Sequence, residues 1–161
     1  MKKIFESTNI IFAEVSNEFI NDYIEMLNDY EKVGKYFSES HEPYTVEGEI
    51  QWVKSELEEK AVVFSMVDKK TKKFIGNTEL MDVKDGTGEL GIVITGSMQE
   101  KGYGKEAIKA LTNYGFNVLG LNRIFLRTRI NNLRAIHVYK ACGFSEYTRD
   151  DVRVFMEMFK K

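Results

Sequence analysis

Two glycines stand one residue apart where a helix is about to begin. In MQEKGYGKEAIKAL (Met98 to Leu111), Gly102 and Gly104 precede a run of helical spacing, with Lys101 and Lys105 beside them. Glycine is a poor helix former, so the local cost must be offset by something the loop does. The first turn of a helix exposes backbone N–H groups with no intrahelical partner, and the helix dipole favours negative charge there. Glycines let that backbone approach a ligand closely, so the stretch reads as a cradle for a phosphate or pyrophosphate. On residue types alone, a tight turn required by packing is the simpler reading of an isolated GxG. It is neither of two common phosphate loops. No GKS/T signature is present, and GYGKEA lacks the spaced third glycine of the dinucleotide fingerprint.

The elements that must position this loop follow from periodicity. NIIFAEV (Asn9 to Val15) is apolar and β-branched and reads as a strand. Ser16 is a suitable N-cap, and Phe19, Ile20, Tyr23, Ile24 and Leu27 then recur at helical spacing. A loop around Tyr36 to Tyr44 holds the only proline, Pro43. A second helix starts near Thr45, with Val46, Ile50, Val53 and Leu57 on one face. The period then changes. AVVFSMVD (Ala61 to Asp68), FIGNTELMDV (Phe74 to Val83) and ELGIVIT (Glu89 to Thr95) read as three strands joined by the charged turn KKTKK and the hairpin signal DGTG. They form an antiparallel meander in which Gly76 marks a bulge. The glycine loop leads into a helix from Gly104 to about Leu119, with Ala107, Ile108, Leu111, Tyr114 and Val118 on its core face. NRIFLRTRI (Asn122 to Ile130) is a strand. Asn131 or Asn132 caps a short helix that ends at Cys142, with Gly143 at its C-cap, and RVFMEMF (Arg153 to Phe159) is the last strand. The expectation is one α/β domain over residues 1–161 with a mixed sheet.

Composition narrows the chemistry. Hydrophobic residues make up 43% and charged residues 30%, the profile of a globular protein. One cysteine and two histidines leave little for a zinc site, and a lone cysteine makes no disulfide framework, which fits a reducing, cytoplasmic setting. No apolar run approaches a membrane span, and Glu6 interrupts the short apolar stretch at the start, so no signal peptide is read there. Net charge is −2, with no long basic stripe and one tryptophan, so nucleic-acid binding is not expected. The charge is unevenly spread. Residues 1–60 carry six lysines, no arginine and fourteen acidic residues, a net of −8, and residues 61–161 carry +6.

The residues resemble a family. QEKGYG matches the Q/R-x-x-G-x-G/A loop of the GCN5-related N-acetyltransferases, and about thirty residues on, NLRAIHVYKACGF (Asn132 to Phe144) is similar to that family's N-x-x-(A/S)-x-x-x-Y-x-x-x-G-F motif. YGFNVLGLNRIFLRT and AIHVYKACGF look most like the branch holding ribosomal-protein and spermidine N-acetyltransferases. Where this branch often has proline before the loop, the chain has Gly96. The resemblance implies a single domain with a mixed, mostly antiparallel sheet of about six to seven strands flanked by about four helices. It also implies acetyl-coenzyme A (acetyl-CoA) as co-substrate, no metal, and direct attack by the amine in a ternary complex. Dimers are plausible in the family, and nothing in the sequence fixes the oligomeric state.

Amide formation from a thioester requires a deprotonated amine, a stabilised oxyanion and a proton for the leaving thiolate. The resemblance makes Tyr139 the proton donor to the CoA sulfur. It places Gln99, Glu100, Lys101, Gly102, Tyr103, Gly104 and Lys105, with Asn132 and Ala135, against the cofactor. Asn132 is then both helix cap and pantetheine contact, or a cap alone. The backbone of Ile92, Val93 and Ile94 pairs with the pantetheine like an added strand. Glu79 and Glu89 lie on adjacent strands, and either could take the amine proton directly or through water. Acidic residues of the first half, among them Glu39 and Glu42, with Glu89, point to a cationic acceptor: a polyamine, an aminoglycoside-like compound or a peptide N-terminus. The alternative is a non-catalytic acyl-CoA sensor or assembly module on the same fold.

Overall fold

Turn chemistry and strand register place the two halves of the sheet. The computed structural model describes residues 1–36 and 42–161, so Glu39 lies outside the described residues. The described chain forms strands β1 (Lys3–Glu6) and β2 (Ile10–Glu14), helices α1 (Ile20–Leu27) and α2 (Val46–Glu58), and strands β3 (Val62–Asp68), β4 (Phe74–Lys84) and β5 (Thr87–Ile94). Helix α3 (Tyr103–Asn117), strand β6 (Arg123–Arg129), helix α4 (Leu133–Ala141) and strands β7 (Ser145–Arg149) and β8 (Arg153–Phe159) follow. One eight-stranded sheet runs in the order β1-β2-β3-β4-β5-β6-β8-β7.

The meander from β3 to β5 is antiparallel, as the hairpin signals require. Asp85 and Gly86 both take positive φ between the paired Lys84 and Thr87, the backbone of a two-residue hairpin turn. The Gly86 carbonyl then accepts from the N–H groups of Asn122 (2.7 Å) and Arg123 (3.1 Å), so the hairpin tip fixes where β6 starts. That contact makes β6 parallel to β5, and the pairing covers only Thr87–Glu89 against Arg123–Phe125. Beyond Glu89 the strands separate: β5 stays on β4 as far as Ile94 and β6 stays on β8 as far as Arg129. The sheet therefore opens into a splay, and β5 keeps an edge of unpaired backbone groups inside the protein.

Gly76 is the expected bulge, where the β3–β4 register shifts. A Cβ there would lie 1.9 Å from the Val93 carbonyl oxygen, a backbone atom that cannot turn aside. Gly76→Ala is expected to cost about 1–3 kcal/mol through forced displacement of β5, read as a fall in Tm.

Two apolar layers enclose the sheet. Phe12, Met66, Ile75, Ile124, Leu126 and Met156 pack on one face under Ala107, Ile108 and Leu111 of α3. Ile11, Val15, Val63 and Val67 pack on the other under Tyr23 and Val53 of α1 and α2. Thr45 caps α2 by accepting from Gly48 N–H at 3.1 Å, and Asn132 caps α4 by accepting from Ala135 N–H at 3.3 Å. Glu106 holds the first turn of α3 to the β1–β2 turn, accepting from Asn9 N–H at 2.6 Å and Ser7 Oγ at 3.0 Å.

Three expectations need correction. Strands β1 and β7 exceed the six to seven read from sequence; Phe5 holds β1 by stacking on Phe12 and Tyr114 at 4.2 and 4.6 Å. In α2 the stripe of Val46, Ile50 and Leu57 faces solvent, and the buried positions are Glu49 and Val53, with Trp52 half-buried. Val118 is exposed because α3 ends before it.

Candidate active site

Two cavities lie where the sheet splays. One, of about 360 Å³, lies between the end of β5, the α3 N-terminus and α4. The other, of about 700 Å³, is bounded by α2, β4, β5, β6 and β8. Tyr36, Ile92, Val93, Asn132 and Tyr139 line both, so the two cavities meet at these side chains.

The smaller cavity receives the glycine loop. Gly102 sits in the left-handed region (φ 88°) as N-cap of α3, with no side chain capping the first turn. Thr45 and Asn132 cap α2 and α4 with their side chains, whereas the first turn of α3 opens on the cavity with no side-chain acceptor. A Cβ on Gly102 or Gly104 would meet nothing within 4 Å, so the loop presents bare backbone and open space. Glu100 and Lys105 line the cavity beside them. Lys101 and Tyr103 are not among its lining residues. The Tyr103 hydroxyl donates to Asp68 at 2.5 Å, which pushes the tyrosine up to about 12 and holds the Asp68 carboxyl down at about 2.

Gln99 faces the cavity, but its side chain is committed to protein. Its Nε2 donates to the carbonyls of Lys32 (2.9 Å) and Ile94 (3.0 Å), and its Oε1 accepts from Arg134 Nη2 at 2.8 Å. It therefore ties the loop to β5, to α4 and to the segment before α2. Gly96 allows the same docking, since a Cβ there would lie 2.5 Å from Asp29 Oδ2 and 2.7 Å from Lys32 Cδ. A side chain at position 96 would require the Asp29 and Lys32 side chains, which stand nearest, to shift. Lys32 and Arg134 also line the cavity and were missed from sequence, although both are cations near the loop in space.

Tyr139 is 7% exposed, and its ring meets Phe144 edge-on at 6.0 Å. Among the described residues its hydroxyl makes no hydrogen bond. Burial, reinforced by Cys142, pushes the phenol up to about 12. The group therefore stays protonated at neutral pH and its proton is unclaimed. Asn132, Ala135, Ile92, Val93 and Ile94 all line the smaller cavity, and the Ile94 carbonyl is already taken by Gln99.

The two carboxylate candidates sit side by side in the larger cavity, on opposite strands of the β4–β5 ladder, but their environments differ. Glu89 is 7% exposed and accepts from Arg127 Nε at 3.1 Å. Glu79 has no hydrogen bond or ion pair among the described residues, and burial, then Glu56 and Glu89, raises its pKa above the ordinary 4.5. Its carboxylate lies over Gly91, where a Cβ would come 3.2 Å from Oε1. Glu49 reaches the same cavity from α2, and burial raises its pKa. Glu42 is described but is not among the residues that line this cavity.

A family model described as acetyltransferase (GNAT) domain matches residues 9–145. The chain is 29% identical over 127 residues to spermidine N(1)-acetyltransferase of Vibrio cholerae serotype O1, covering 77% of this chain and 72% of that protein. It is 30% identical over 133 residues to spermidine N(1)-acetyltransferase of Escherichia coli K12, covering 76% and 66%. Among solved structures, an acetyltransferase (GNAT family) from Bacillus anthracis superposes with a TM-score of 0.86 at 19% identity over 96% of each chain. Spermidine N-acetyltransferase from V. cholerae in complex with CoA and spermine superposes at 0.84 and 20% identity, over 95% of this chain and 96% of that one. A family match across most of the chain, on a splayed sheet with an uncapped glycine loop at its opening, leads to one conclusion: the chain belongs to the GNAT acetyltransferase family and is an acetyl-CoA-dependent N-acetyltransferase.

Proposed function

We propose that the chain acetylates a primary amine by direct attack in a ternary complex, with Tyr139 as proton donor and Glu79 as the base. The observation that carries this reading is the position of Tyr139, which lines both cavities and whose hydroxyl makes no hydrogen bond among the described residues.

The smaller cavity fits acetyl-CoA. The open backbone at Gly102 and Gly104, with the uncapped first turn of α3, suits a pyrophosphate, and Lys32, Lys105 and Arg134 supply positive charge. Bound there, the co-substrate supplies an activated acetyl group, so this chain's residues need only orient, move protons and exclude water. Backbone on the free edge of β5 at Ile92 and Val93 holds the pantetheine arm and places donors near the carbonyl oxygen. Tyr139 holds its proton until the sulfur needs it. Glu79 takes the proton that the arriving ammonium must lose, a task favoured by its raised pKa. Glu49 and Glu89 complete a carboxylate lining that suits a cation, and the spermidine acetyltransferase relatives support an acceptor that arrives as an ammonium.

The test is thiol release from acetyl-CoA against polyamines, aminoglycosides, amino acids and short peptides. Turnover on one amine class supports the reading; acetyl-CoA binding without turnover on any class contradicts it. A separate variant isolates the cofactor side. Gly104→Val puts a side chain into open space, so Tm is expected to hold while acetyl-CoA binding weakens by about ten-fold or more, read by calorimetry.

A further inference from the structure

A chain of buried hydrogen bonds ends at the larger cavity. Tyr23 of α1 and Ser65 of β3 are both fully buried, and their hydroxyl oxygens stand 2.6 Å apart. The Ser16 backbone N–H donates to the Tyr23 hydroxyl at 3.3 Å, and the Ser65 hydroxyl donates to Asn77 Oδ1 at 2.9 Å. These contacts have one consistent direction. Ser65 has a single proton, spent on Asn77, so Tyr23 donates to Ser65. Reversed, the chain would bury the Tyr23 proton with no acceptor among the described residues, because its other neighbour is the Ser16 N–H, a donor. Asn77 therefore turns its oxygen to Ser65 and keeps both N–H groups of Nδ2, which make no hydrogen bond among the described residues. Asn77 is half-buried and lines the larger cavity with Glu79, which lies two residues along β4 on the same face. Opposite Asn77 in the β4–β5 ladder is Val93, which lines both cavities, so Asn77 stands on the co-substrate side of Glu79. Stability does not call for this chain, since apolar groups of the same shape in place of a buried bonded pair can be nearly neutral. Its one unfilled end is a pair of donors beside the base.

We propose that Asn77 selects the acceptor by donating to an oxygen on it, and that this oxygen sits on the second carbon from the reacting nitrogen. Residues two apart on a strand are separated by about 7 Å, a span that a nitrogen near Glu79 and an oxygen two carbons away fill together. An amino-acid or peptide amide offers a carbonyl there, and a 1,2-amino alcohol offers a hydroxyl. Simple alkylamines and linear polyamines offer neither and would leave the Asn77 donors empty, a loss that a site built to hydrogen-bond its substrate registers strongly. Asn77 is then a specificity-determining residue, and Ser65 and Tyr23 position it. This rests on the amine-acetylation reading above and narrows it.

The test gives the full chain matched amines: glycinamide against isobutylamine for the carbonyl, ethanolamine against propylamine for the hydroxyl, and spermidine as an oxygen-free polyamine. Thiol release from acetyl-CoA gives kcat/KM, and ligand-observed NMR with the CoA-saturated protein gives binding. The ratio within a pair is compared between parent and variant, so the amines' own basicities cancel. In one pair the oxygen-bearing amine is expected to be favoured about ten-fold or more, and that pair identifies carbonyl or hydroxyl. Asn77→Leu is expected to bring the ratio toward that of the bare amines. Asn77→Asp, which keeps an oxygen for Ser65 but has no N–H to donate, is expected to do the same. Ser65→Ala leaves the amide free to turn and is expected to keep part of the preference. A ratio unmoved by both Asn77 variants, spermidine as the preferred acceptor, or a fall in kcat equal for every amine would overturn the proposal. Preferential binding of an oxygen-bearing amine, lost in the Asn77 variants, with no acetyl transfer to any amine would leave the Asn77 site standing and overturn the transfer reading. Transfer to amines with no preference within either pair would do the reverse.

Discussion

Tyr139→Phe is expected to lower kcat by about 10²–10⁴-fold while acetyl-CoA affinity and Tm stay close to those of the parent. The substitution removes one oxygen and keeps the ring. The edge-on contact with Phe144 and the burial at 7% exposure are retained. No described hydrogen bond is lost with the hydroxyl, so no buried partner is left unsatisfied. What is lost is a proton at the junction of the two cavities. Because burial pushes the phenol up to about 12, the parent holds that proton across the whole neutral range. The defect in the variant is therefore expected to be uniform between pH 6 and pH 9, with no new ionisation in the profile. A core tyrosine without a catalytic role would leave kcat unchanged.

Glu79→Gln is expected to lower kcat/KM by about 10²-fold or more and to remove the ascending limb of the pH–rate profile. The sign follows from the environment. Burial and the neighbouring Glu56 and Glu89 penalise the charged form, so the folded-state pKa lies above 4.5. The base form accumulates as pH rises through that raised value, and the rate rises with it. The same shift makes charged Glu79 a net cost to folding at neutral pH, a cost relieved as pH falls through the raised pKa. Glu79→Gln is accordingly expected to hold or raise Tm at pH 7 while activity falls. Glu89→Gln behaves differently, because its carboxylate is held by Arg127 at 3.1 Å. There the ascending limb survives, and the loss shows in the acceptor KM.

The parts of this arrangement that were legible in the sequence are those that local chemistry dictates. The Asp85-Gly86 turn, the Gly76 bulge, the Asn132 cap and the glycines before α3 each follow from what one residue type allows a backbone to do. The parts that were not legible depend on neighbours distant in sequence. In α2 the apolar stripe predicts a face over the core, but the helix overhangs a cavity, so Glu49 and Trp52 turn in and Ile50 turns out. KIFE and SEYTR are too short and too charged to announce strands, and they pair as edges because β2 and β8 offer ladders. Gln99 looks like a ligand by its place in the loop, yet its amide is spent on two carbonyls and an arginine. Arg127 and Arg129 alternate visibly in NRIFLRTRI, but only the β6–β8 pairing sets Arg129 opposite Arg153 beside the larger cavity.

The central claim is that acetyl passes directly from acetyl-CoA to an amine held in the adjoining cavity. Initial rates of thiol release, measured over a grid of acetyl-CoA and acceptor concentrations with the best acceptor found, test it most directly. The account predicts intersecting double-reciprocal lines, because both substrates must be bound before transfer. Parallel lines, with acetyl found on the protein when acetyl-CoA is supplied alone, would mean that a side chain carries the acetyl group first and that the two cavities do not act together.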